Sequence, residues 1–186
     1  PIQYYYLAEI SVKNNDLRTA LACCENLEQY TPKSEAQNYL KAVQETLVPR
    51  HPIDRACLDL YERAVAAEGN KSEFEALTEL LIKKYPKFEY GYLLKIDSNP
   101  FTQHTETDNL VYKKVQELNP NNAIMLSALC IEAYENYDEE DCKSLYLRLR
   151  KLNPYFKPFE LRRIDLAYEQ SLLPPAQRDQ KEEHQK

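Results

Sequence analysis

The stretch Glu117–Leu118–Asn119–Pro120–Asn121–Asn122, ELNPNN, recurs as Lys151–Leu152–Asn153–Pro154–Tyr155–Phe156, KLNPYF, with its proline 34 residues further on. Each Leu-Asn-Pro closes a charged run that carries an apolar stripe. Proline lacks an N–H and disfavours helical geometry at the residue before it. The triplet therefore ends a helix, with Leu as the last apolar anchor, Asn in the turn and Pro against continuation. Two further prolines stand in step, so that Pro52, Pro86, Pro120 and Pro154 are each 34 residues apart. A stop at fixed phase is what a stack of helix–turn–helix units of constant length requires.

The composition agrees. The 186 residues include only two glycines, Gly69 and Gly91, too few for the special turns of a sheet protein, so an all-α chain is expected. With 43% apolar and 29% charged residues and a net charge of −6, the chain reads as a soluble folded protein with an acidic surface. No apolar run is long enough for a transmembrane helix, so no membrane insertion is expected. The start Pro1-Ile2-Gln3 has neither Met nor a signal pattern, and the chain is expected to be a fragment of a longer protein. Five cysteines, Cys23, Cys24, Cys57, Cys130 and Cys142, form an odd set with no CxxC pair. They read as reduced, structural thiols in an intracellular protein of the cytoplasm or nucleus. Asn70-Lys71-Ser72 has the form of a glycosylation sequon, but without a secretory context it reads as a turn between helices.

Apolar periodicity and breakers predict about ten antiparallel helices. The first covers Gln3 to Asn14 and the second runs to Tyr30 before Thr31-Pro32. The third, Ser34 to Val48, opens on the capping-box pair Ser34 and Gln37. The fourth covers Ile53 to Ala67, and the fifth, capped by Ser72 and Glu75, ends on lysines before Pro86. A short sixth spans Phe88 to Asp97, and after a polar loop the seventh runs to Leu118. Asn122 to Asn136, Glu139 to Leu152 and Pro158 to Leu172 complete the set. Residues 174–186 are charged, apolar-free and expected to be a flexible tail.

On this ladder the chain resembles the tetratricopeptide repeat (TPR) family, whose 34-residue helical hairpins carry small residues where the helices touch and a closing proline. The best match runs from Ala123 to Pro154. Leu126 and Leu129 take its apolar first-helix positions, Cys130 and Cys142 its small sites, and Tyr146 its aromatic site. Tyr4 to Pro32 matches through Tyr4, Leu7, Ala8, Ala20 and Leu27. In the middle units Glu62 and Phe74 stand at small-residue sites, and Pro100 breaks the first helix of 87–120. The resemblance implies an α-solenoid over residues 1–173, with repeat-like units 1–32, 53–86, 87–120 and 121–154 and a terminal helix over 158–172. The helix over 34–48 is either an insertion or a shift in hairpin pairing. Leu60 to Val65, LYERAV, is similar to the second-helix phrase of the half-a-TPR (HAT) family of RNA-processing scaffolds.

Reactive groups do not converge. His51, His104 and His184 fall in a turn, a loop and the tail, none sharing a helical face with a second metal-type ligand. With two glycines there is no phosphate-cradling loop, and no GxSxG occurs. Cys23 and Cys24, adjacent on a helix, point about 100° apart and read as one core thiol beside one partly exposed thiol. No catalytic residue, metal or cofactor is expected.

Charge is segregated. Six acids (Glu132, Glu135, Asp138, Glu139, Glu140, Asp141) precede a segment with seven bases (Lys143, Arg148, Arg150, Lys151, Lys157, Arg162, Arg163) and one acid, Glu160. Acids at the start of the ninth helix and bases at its end suit the helix dipole. Arg148, Arg150, Lys151, Phe156, Lys157, Arg162 and Arg163 form a candidate basic and aromatic end surface for an acidic peptide or RNA; otherwise this is a solvated face with Phe156 or Phe159 packed on the ninth helix.

The chain has fifteen tyrosines and no tryptophan, and tyrosine serves both cores and recognition surfaces. In the family the first helix of each unit lines a concave groove, which implies Tyr5, Glu9, Lys13, Asp59, Arg63, Tyr90, Leu93, Asp97, Ser127, Ile131 and Tyr134 as groove residues. Ser127, Ile131 and Tyr134 do not reproduce the Lys, Asn and Arg carboxylate clamp of the family's chaperone-binding members. The expected function is a non-catalytic protein-interaction scaffold for a peptide, helix or subunit. The alternative is an RNA-processing scaffold touching RNA through its basic end.

Overall fold

The computed structural model describes residues 1–29, 34–96, 106–157 and 161–172. Among them the chain is all helical, with no strand. The helices are α1 (Ile2–Lys13), α2 (Leu17–Gln29), α3 (Ser34–Thr46), α4 (Arg55–Ala66), α5 (Lys71–Lys84), α6 (Glu89–Leu93), α7 (Glu106–Leu118), α8 (Ala123–Glu135), α9 (Glu139–Leu152) and α10 (Arg162–Leu172). All four ladder prolines lie between helices, ahead of α4, α6 and α8 and after α9.

Two hairpin turns are built alike. Asn15 between α1 and α2, and Tyr137 between α8 and α9, have left-handed backbone at φ 58° and 59°. Asp16 N donates to Ser11 O at 2.7 Å and Asn15 N to Val12 O at 3.0 Å; Asp138 N donates to Ala133 O at 2.9 Å and Tyr137 N to Tyr134 O at 3.2 Å. This is the Schellman pairing, which satisfies carbonyls left open at a helix end. In both turns the next residue is an aspartate that caps the second helix: Asp16 Oδ1 accepts from Thr19 N at 3.0 Å, and Asp138 Oδ1 from Asp141 N at 3.1 Å. Asn15 precedes Pro32, and Tyr137 precedes Pro154, by the same 17 residues. The first and last hairpins therefore share a local design despite the third helix that puts Pro32 out of step.

The repeated Leu-Asn-Pro also has one structural meaning. Asn119 Oδ1 accepts from Asn121 N at 3.2 Å, and Asn153 Oδ1 accepts from Tyr155 N at 3.2 Å and Phe156 N at 3.1 Å. Each asparagine folds the chain over the proline in an Asx-type turn, and both are buried. Asn119 has a second task. Its Nδ2 donates to Glu89 Oε1 at 2.9 Å, and the same oxygen accepts from Arg50 N at 2.8 Å. Glu89 is fully buried, and it joins the end of α7, the start of α6 and the segment after α3. Beside it the Tyr90 hydroxyl donates to Leu47 O at 2.7 Å.

The chain divides into two compact units, Pro1–Met125 and Leu126–Lys186, with the division inside α8. In the first unit α1 packs on α2, and α3 packs on both, so the extra helix joins the first hairpin. Further along, α4 packs on α5, α5 on α6 and α6 on α7. A Cβ on Gly91 would stand 3.3 Å from Leu81 Cδ2, which shows how closely α6 approaches α5. An aromatic cluster of Tyr61, Phe88 and Tyr90 fills this core, with Tyr61 edge-on to Phe88 at 5.5 Å. In the second unit Cys130 and Cys142, the two expected small sites, meet at 3.9 Å between α8 and α9.

Three expected details differ. Asn70, not Ser72, caps α5: its Oδ1 accepts from Glu73 N while its Nδ2 reaches Glu73 Oε2 at 3.2 Å. Asparagine suits that role because its short amide can accept and donate within one turn. The sixth helix is a single turn of five residues rather than ten. Cys23 and Cys24 are both buried, where one of the two was expected to be partly exposed, because α3 also packs on α2. The side chain of Ser34, residues 158–160, His104 and the expected tail over 174–186 with His184 lie outside the described residues.

Candidate functional site

Helix α1, IQYYYLAEISVK, carries apolar side chains all round its axis, and only one side is used inside the fold. Tyr5, Ala8 and Val12 are buried against α2 and α3. On the other side Ile2, Tyr6, Leu7 and Ile10 are 41, 46, 46 and 55% exposed. At 100° per residue these four, with Gln3, cover one continuous face about 140° wide, and none of them is charged. Lys13 falls at the C-terminal end of the same face and pairs with the largely buried Glu9 at 3.0 Å. Uncovered apolar side chains gathered in this way mark docking surfaces, whereas scattered ones do not.

The uncovered face of α1 is not the one expected from sequence. Tyr5, Glu9 and Tyr90 belong to the interior, so they are corrected from groove to core residues. The tyrosines are held there because their hydroxyls and rings find partners: Tyr90 through the Leu47 carbonyl, and Tyr5 by ring contact with Tyr39 at 5.7 Å. Burial, and then the adjacent Glu89 carboxylate, push the Tyr90 hydroxyl well above its ordinary pKa. Ser127 is buried as well, Leu93 and Ile131 are half-buried, and Asp97 lies outside the described residues. Lys13, Asp59, Arg63 and Tyr134 are exposed. Asp59 is engaged with Glu62 in holding Arg18 of α2, at 2.9 and 2.7 Å. Beside that bridge the Tyr61 hydroxyl donates to Asn15 Oδ1 at 2.9 Å. These contacts fasten the first hairpin to α4. The expected groove residues fall into both units, with Ser127, Ile131 and Tyr134 in the second.

The basic end surface is also redrawn. Arg150 is not a surface cation: its guanidinium lies over the Tyr146 ring at 5.1 Å, donates to the Phe156 carbonyl and pairs with Asp165 of α10. Tyr146 in turn stacks on Tyr168 of α10 at 5.0 Å. Phe156 is buried. A half-buried arginine needs such acceptors, and Asp165 supplies the charge. Arg148 is half-buried, while Lys151, Lys157, Arg162 and Arg163 remain exposed.

Burial, helped by nearby Cys23 and glutamates, pushes the Cys24 thiol up to about 12; burial and Asp54 push Cys57 to about 12. Thiols so shifted stay protonated at neutral pH. Among the described residues no group of three or more His, Cys, Asp or Glu is placed to hold a metal ion. No described helix is long and apolar enough to cross a membrane. No family model, curated protein or solved structure matches the chain.

Sequence reading missed Ile2, Tyr6 and Ile10 as surface residues, and it gave Leu7 a repeat position although the side chain is uncovered. The available signal was that α1 has no polar side, which means that both of its sides seek cover.

Proposed function

We propose that this chain is a TPR-like, non-catalytic interaction scaffold of an intracellular protein, in the cytoplasm or nucleus, and that α1 docks a partner protein through an apolar helix face. The uncovered stripe Ile2, Tyr6, Leu7 and Ile10 carries this reading. A partner helix laid along it buries its anchors at i, i+3, i+4 and i+7 spacing, the mode by which helices recognise an apolar surface. Two features support the repeat assignment: the shared Schellman turns and the pair of Leu-Asn-Pro turns. Five free, buried cysteines support a reducing compartment. The RNA reading is less favoured, because Arg150 and Phe156 serve the interior and the net charge is −6.

Affinity purification from cells, comparing the wild-type chain with Tyr6→Glu plus Ile10→Glu, tests it. Both side chains are exposed, so the variant keeps its fold, and loss of the stably bound partners is expected. An unchanged set of partners removes α1 as the docking surface.

A further inference from the structure

At the open end of the α4–α5 hairpin, two segments that occupy the same phase of the 34-residue ladder face each other. His51, Pro52, Ile53 and Asp54 lie ahead of α4; Tyr85, Pro86, Lys87 and Phe88 follow α5. Together with Cys57 and Lys84 they line a cleft of about 460 Å³. Its deep side is apolar, with Phe88 and Cys57 buried and Ile53 half-buried. The two proline rings give it rigid walls and present no N–H.

The rim is basic in a chain that is acidic overall. Lys84 and Lys87 are exposed, and neither is in an ion pair among the described residues. The lining has one carboxylate against these two ammonium groups, and Asp54 Oδ1 accepts from Cys57 N at 2.7 Å to cap α4. The Tyr85 hydroxyl, held up in pKa first by partial burial and then by Asp54, stands beside the same carboxylate. His51 adds an imidazole at the edge. The volume is that of a small-ligand or short-peptide cleft, and the charge left for a partner is positive.

We propose that this cleft docks an extended acidic peptide. One apolar side chain enters between Pro52 and Pro86 onto Ile53 and Phe88, and carboxylates on either side of it meet Lys84 and Lys87. The site is separate from the α1 face and does not rest on it.

Fluorescence anisotropy of an acetylated, amidated, labelled Glu-Glu-Leu-Glu-Glu peptide titrated with the whole chain tests the proposal. Saturable binding is expected, weakening as salt rises from about 0.05 to about 0.5 M. Lys84→Glu with Lys87→Glu should weaken it at least about tenfold, and Ile53→Glu should do the same. Because Ile53→Glu reads the cleft from another side, it decides the matter if charge reversal disturbs the fold. Tyr6→Glu with Ile10→Glu should bind the peptide as wild type does, which separates this site from α1. Four results overturn the proposal: no saturable binding, binding unchanged in both cleft variants, equal binding of Lys-Lys-Leu-Lys-Lys, or tighter, lysine-dependent binding of a uridine pentanucleotide.

Discussion

Asn119 Nδ2 donates to Glu89 Oε1 at 2.9 Å, deep in the first unit and 30 residues away in sequence. The same asparagine turns the chain over Pro120, so one side chain both ends a helix and fastens that end to α6. Glu89 in turn holds Arg50 N, the first backbone group of the segment that leads to α4. Glu89→Ala should cost about 2 kcal/mol, because it leaves the buried Asn119 amide and the part-buried Arg50 N–H without their acceptor. Glu89→Gln keeps an acceptor oxygen and should cost about half as much. Urea unfolding of the two variants checks the order; equal stability of Glu89→Ala and wild type contradicts it.

Asn15 and Tyr137 share a backbone conformation but not a prediction. Tyr137 is 91% exposed and held at φ 59°, so Tyr137→Gly removes strain without removing packing. It should stabilise the chain by about 1 kcal/mol. Asn15→Gly should not gain, since it removes the acceptor of the Tyr61 hydroxyl. Thermal unfolding distinguishes them, and a Tyr137→Gly variant less stable than wild type counts against the left-handed assignment.

Alkaline pH should destabilise the fold. Cys24 and Cys57 rise from an ordinary 9.0 to about 12, and burial also raises Tyr61 and Tyr90 above 10.0. An acid with a raised folded pKa keeps its proton where the unfolded chain has lost it. The associated stability is complete below the unfolded value and declines as pH climbs toward the folded one. The urea midpoint should therefore stay level up to about pH 8.5 and fall between about pH 9 and 12. Replacing Cys24 and Cys57 by Ala should shallow that fall.

The second unit depends on Arg150. Asp165→Ala leaves a half-buried guanidinium without its carboxylate and should cost about 2 kcal/mol. Hydrogen exchange should quicken in α10, while the amides of α4 and α5 keep their protection. Uniform loss of protection across the chain contradicts a local clamp.

Proline and asparagine made the helix ends legible, because a missing N–H and a competing side-chain acceptor act locally, whatever the tertiary packing. Nine of the ten helices accordingly lie within a few residues of their expected bounds. The face of α1 was not legible, since apolar residues on every side give periodicity nothing to point with. Tyr5 and Tyr90 misled for a related reason: a tyrosine reads as surface or core according to whether a partner waits for its hydroxyl, and Leu47 is 43 residues away from Tyr90. Arg150 read as a surface cation because its acceptors, Phe156 and Asp165, reach it only through the turn over Pro154.

The most direct test of α1 as a docking surface is photo-crosslinking in cells, with benzoylphenylalanine placed at Leu7 or, as a control, at the exposed Lys41 of α3. Discrete adducts to a small set of proteins at position 7, absent at position 41, are expected. No adducts at position 7, or the same adducts at both positions, would contradict a protein-binding role for the α1 face.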